Sequence, residues 1–120
     1  MSTQEDKSHQ RRYYRANIQF PVTIIVPGEE LVLATQAQDI SGGGMRVAST
    51  TDLPPGQPIV LRFTLPGSDR EMLMRARVVL SFYDNSTKMF AHGIAFTQYA
   101  PADHEAICTL VAKYEKTGAR

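Results

Sequence analysis

One cysteine, no tryptophan and no long apolar run are available to this 120-residue chain. With Cys108 alone there is no intramolecular disulfide and too little sulfur for a cysteine zinc site. Cys108 is expected as a small buried apolar residue. No stretch approaches the roughly 18 apolar residues of a membrane span, and the polar, mixed-charge N-terminus lacks the apolar core of a signal peptide. A cytoplasmic protein without membrane insertion is expected. The histidines His9, His92 and His104 are scattered, with no cysteine or carboxylate at ligand spacing around them, so no metal site is expected. Ser41 has no foreseeable histidine partner and Asp39 no second carboxylate, so the chain offers no catalytic residues and is read as no enzyme. A formal net charge of +1 excludes a general attraction for DNA or an anionic membrane. Any anion site must be local.

What is present is a one-domain chain with enough apolar content, 42%, to bury its own core. Residues 1–10 are polar and lack periodicity, which predicts a flexible N-terminal arm over 1–15 and a folded unit over 16–120. From Ile18, apolar residues alternate through Phe20, Val22, Ile24 and Val26, the period of a half-buried strand. Pro27-Gly28-Glu29-Glu30 then turns into a second strand from Leu31 to about Gln38. Paired numbers in that hairpin sum to about 57, which sets Arg15 opposite roughly Gly42. Further strands are predicted at Met45–Ala48, Ile59–Leu65, Met72–Phe82 and Phe90–Phe96, with turn signals between them. In the fifth, the inward series is Met72, Met74, Ala76, Val78, Leu80 and Phe82. Six such strands fit a mainly β fold, a six-stranded antiparallel barrel. Ile107, Leu110, Val111 and Tyr114 recur at helical spacing, and Pro101 and Asp103 suit a first turn, so one C-terminal α-helix is predicted.

The hairpin register brings two polar fragments together. Arg11-Arg12-Tyr13-Tyr14-Arg15 supplies guanidinium groups, which pair with phosphates, fork onto the O6/N7 edge of guanine and stack on bases. Tyr13 and Tyr14 can anchor the arm against the barrel. The second fragment, Asp39-Ile40-Ser41-Gly42-Gly43-Gly44, supplies a carboxylate, a hydroxyl and backbone donors able to approach an anion closely. Asp39 suits the N1–H and N2–H of guanine, or a bidentate pair with an arginine. Three arginines less one aspartate leave a local charge of +2, which predicts a compact, guanine-bearing ligand with two phosphodiesters. Arg75 and Arg77 fall on an outward parity, while Met72, Met74 and Met89 read as core filler and His92 as a hydrogen-bonded core or rim residue.

Arg11-x-x-x-Arg15 followed by Asp39-x-Ser41-x-x-Gly44 resembles the two-part signature of PilZ domains, bacterial receptors for cyclic di-GMP. Gly93 in the last strand and the C-terminal helix extend the resemblance over nearly the whole chain. It implies a PilZ-type β-barrel in which Arg11 and Arg15 bind phosphate and guanine and Asp39, Ser41 and Gly44 hold a guanine. Arg12 and Gly43 would be auxiliary contacts. The implied function is a stand-alone adaptor whose arm orders on binding cyclic di-GMP and presents a new surface to a protein effector. Two competing readings are a PilZ-like interaction module without nucleotide control and a small barrel binding single-stranded nucleic acid.

Overall fold

Val22, Ile24 and Val26 are buried in strand β1 (Phe20–Val26), and the residues between them face outward or lie half-buried, as the alternation requires. The computed structural model describes residues 15–117, with side chains through Tyr114. After β1 come β2 (Leu31–Ser41), β3 (Gly44–Ser49), β4 (Pro58–Thr64), β5 (Glu71–Asp84), β6 (Met89–Gln98) and helix α1 (Pro101–Thr117). Each predicted strand is present, with no end shifted by more than three residues. All ladders are antiparallel, and β1 pairs with both β2 and β4, which closes a barrel in the order β1-β2-β3-β6-β5-β4. Closure leaves the six-stranded sheet without a free edge along its paired length.

The first hairpin holds the expected register, since Phe20 faces Ala37 and Val26 faces Leu31. Its turn uses Gly28 at φ 84°, a left-handed conformation that glycine adopts without steric cost. Upstream of Phe20 the pairing shifts by one, because an isolated bridge joins Ala16 to Ile40. Projected from that bridge, Arg15 is level with Ser41 rather than Gly42.

The inward series of β5 ends earlier than the alternation predicts. Met72, Met74, Ala76 and Val78 are buried, but Leu80 and Phe82 are 53% and 49% exposed. Val78 pairs with Ile94 and Leu80 with Gly93, so Val79 is an extra residue in the ladder. This β-bulge reverses the parity of everything after it. Leu80 and Phe82 turn outward, and Ser81 and Tyr83 face His92 and Phe90 instead.

Ile107 and Val111 carry α1 onto the barrel and join its single core cluster, with Leu110 packed beside them. Tyr114, the last member of the predicted stripe, is 37% exposed. Asp103, in the first turn, receives a 2.8 Å hydrogen bond from Arg70 Nη1, which ties the start of the helix to the β4–β5 connection. A carboxylate there also complements the helix dipole. Cys108 is half-buried rather than buried, because it lies off the Ile107–Val111 stripe. Burial still pushes its thiol pKa up. Met89, expected in the core, is likewise only half-buried near the end of the β5–β6 hairpin. His92 is fully buried, and its Nε2 lies 3.2 Å from Ser49 Oγ and 3.1 Å from the Thr51 carbonyl oxygen. The carbonyl can only accept, so the proton belongs on Nε2, and Nδ1 is a buried acceptor without a partner among the described residues.

Candidate functional site on the outer face of the barrel

A second bulge sets the position of Asp39. Ala37 pairs with Val47, yet Asp39 pairs with Arg46, so Gln38 is the extra residue of β2. Without it, Asp39 would share the inward parity of Ala37 and Ile40 would face solvent. With it, Ile40 and its partner Met45 enter the core at 0% and 1% exposure, while Asp39 and Arg46 share the outer face. The exchange is favourable because an isoleucine gains from burial and an unpaired carboxylate would lose heavily.

Although it faces outward, the Asp39 side chain is only 8% exposed, because two arginines cover it. Arg15 Nη1 donates to Oδ1 at 2.9 Å, and Arg46 Nε stands 3.5 Å from Oδ2. Each carboxylate oxygen therefore has its own guanidinium. The arginine side chains remain 41% and 52% exposed, so the groups that neutralise Asp39 also offer free donors to solvent.

Ser41 and the glycines after it form a tight turn beside this pair. Gly43 N–H donates to Ser41 Oγ at 3.3 Å, and Ser41 Oγ donates to the Gly44 carbonyl at 3.4 Å. The Gly43 carbonyl in turn accepts from Phe96 N–H at 2.9 Å. Gly44 has a packing reason of its own: a Cβ there would stand 2.0 Å from the Ile94 carbonyl oxygen. Only glycine lets β3 lie this close to β6 at that point.

Arg15, Asp39, Ser41, Gly43 and Gly44 thus gather on one outer face, with the Arg15–Asp39 ion pair as direct contact between the two fragments. Arg11 and Arg12 lie outside the described residues. Arg46 escaped the sequence reading. Its outward parity between Met45 and Val47 was visible, but its meeting with Asp39 depends on the bulge at Gln38. Gly93 lies opposite Arg46 on the next strand, and Leu80 lies beyond it. Gln38, pushed out by the bulge, joins Gln19, Gln36 and Ala48 in lining an open cleft of about 510 Å³.

The sequence matches the PilZ domain family over residues 9–113. Among solved structures, the chain is similar to the Bacillus subtilis inhibitor of motility MotI/DgrA, with a TM-score of 0.80 and 20% identity, covering 91% of this chain. The chain spans only about half, 53%, of that protein's length. It is also similar to the PilZ domain of YcgR from Escherichia coli, determined with c-di-GMP, at TM-score 0.64 and 15% identity over 89% of this chain and 92% of that one. A third similar fold is the PilZ domain of CeSA from a cellulose-synthesizing bacterium, at TM-score 0.63 and 19% identity over 84% and 97%. No curated protein matches the sequence closely enough to count as a relative. A family match over almost the full barrel, together with the same fold, leads to one conclusion: this chain belongs to the PilZ domain family.

Proposed function

We propose that this protein is a bacterial cyclic di-GMP receptor that works as an adaptor rather than as an enzyme. The observation that carries the proposal is Asp39, held on the outer barrel surface between Arg15 and Arg46. A carboxylate there matches the N1–H and N2–H donors of guanine, and the adjoining guanidinium groups match phosphodiesters. Arg11 and Arg15 bind phosphate and the guanine edge, with Arg12 assisting. Asp39 reads guanine, and the Ser41–Gly44 turn offers backbone donors once ligand replaces its internal hydrogen bonds. The arm over residues 1–15 orders across the dinucleotide, and the ordering cost is offset by charge-assisted hydrogen bonds.

Output through a protein partner is supported by Val79, Leu80 and Phe82, three exposed apolar residues on β5. Their exposure also favours the second reading, an interaction module that needs no nucleotide.

Calorimetric titration with cyclic di-GMP, using cyclic di-AMP and GTP as controls, separates the two. Selective binding of cyclic di-GMP is the expected result. A well-folded protein that gives no heat with it would leave the nucleotide-independent module.

A further inference from the structure

Asp39 has two carboxylate oxygens, and an arginine stands at each. Guanine presents N1–H and N2–H side by side, so recognition by a carboxylate uses both oxygens at once. A carboxylate offers about four lone-pair sites, so a guanine edge that takes one on each oxygen competes with the arginines for the best-aligned ones. The geometry distinguishes the two competitors. Arg15 donates a 2.9 Å hydrogen bond to Oδ1. Arg46 stands at 3.5 Å, and its side chain is more exposed, 52% against 41%. The contact that yields at least cost is the one made by Arg46.

Resting on the receptor reading above, we infer that Arg46 is a further ligand-binding residue: a placeholder on Asp39 that guanine displaces and that then binds the nucleotide itself. Its location permits the exchange. Arg46 projects from the outer face of β3, and its neighbour across the ladder is Gly93, which adds no side chain of its own, so the first side chains a swing toward β6 meets are those of Val79 and Leu80 on β5, both exposed. From there the guanidinium can lie over the guanine plane or fork onto a phosphate. A β-strand also holds it more firmly than an arm, so Arg46 is part of the site before ligand arrives.

Magnitudes set the direction of the effect. A half-exposed ion pair favours the free state by no more than roughly fivefold. A hydrogen bond to a charged group in the complex contributes roughly ten- to a hundredfold. The exchange therefore strengthens binding on balance, and removing Arg46 weakens it.

The experiment is calorimetric titration of cyclic di-GMP into the full chain, wild type against Arg46→Ala and Arg46→Lys, with thermal melts to show that each variant folds. Arg46→Ala should bind at least about tenfold more weakly. Arg46→Lys should recover part of that loss, since it keeps the charge and loses the fork. Repeating Arg46→Ala in an Asp39→Asn background tests whether Arg46 touches ligand directly. A loss that persists there supports contact with the nucleotide, whereas a loss that vanishes makes Arg46 only a positioning residue for Asp39 and overturns the inference. Arg46→Ala affinity within twofold of wild type, or tighter than wild type, overturns it as well. A folded wild type that binds no cyclic di-GMP refutes the receptor reading itself, a different outcome from wild-type binding that Arg46→Ala leaves intact.

Discussion

A methyl group at position 44 would stand 2.0 Å from the Ile94 carbonyl oxygen, 3.0 Å from the Ile94 carbonyl carbon and 3.2 Å from Ala95 Cα. All three are backbone atoms, so no rotamer change relieves the clash, and Gly44→Ala must pry β3 from β6 where Gly44 pairs with Ala95. Overpacking of this kind costs up to about 3 kcal/mol, and a rigid backbone neighbour puts this site at the upper end. For a domain of this size that lowers Tm by roughly 12 °C. Gly93→Ala is the natural contrast. Its nearest neighbour is the Leu80 Cβ at 3.3 Å, on an exposed side chain beside a bulge that can give way, so its cost should stay below about 1 kcal/mol. Urea unfolding followed by circular dichroism measures both, and a shifted midpoint at constant slope marks a change in stability alone. Gly44→Ala within about 0.5 kcal/mol of wild type would refute the packing argument. If the argument holds, loss of ligand binding in a Gly44 variant reports on the barrel before it reports on a contact.

Arg15→Ala should lower cyclic di-GMP affinity by about thirtyfold in calorimetry while Tm falls only a few degrees, since the lost ion pair is half-exposed. His92→Ala removes a fully buried ring with contacts to Ser49 and Thr51, and should cost about 3 kcal/mol in urea unfolding. Asp103→Ala should cost about 1 to 2 kcal/mol in the same assay by releasing Arg70 and removing a first-turn carboxylate from α1. Burial raises the pKa of Cys108, so less thiolate is present at a given pH. Iodoacetamide at pH 8 should therefore alkylate the native protein more slowly than the urea-unfolded chain, and equal rates would contradict that environment.

The alternation of Phe20, Val22, Ile24 and Val26 and the turn at Pro27–Glu30 determined the first hairpin and its register without help from the rest of the chain. Periodicity does this because each strand sorts its side chains onto two faces by itself. The same logic placed the other strands and α1, and the signature residues pointed to the family. The bulges at Gln38 and Val79 were beyond its reach. Nothing in Ala37-Gln38-Asp39 or Val78-Val79-Leu80 breaks the pattern within its own segment, because a bulge is a mismatch between two strands. Their consequences were hidden with them: Leu80 and Phe82 turned outward, Ile40 sank into the core, and Arg46 came to stand against Asp39. The need for glycine at position 44 likewise became visible only with the Ile94 carbonyl in place. Sequence alone determined which segments form strands and that Arg15 lies beside the Asp39–Gly44 fragment, since those follow from local periodicity and hairpin register. Tertiary structure decided which faces they present and which charges meet, because parity and pairing are properties of neighbouring strands taken together.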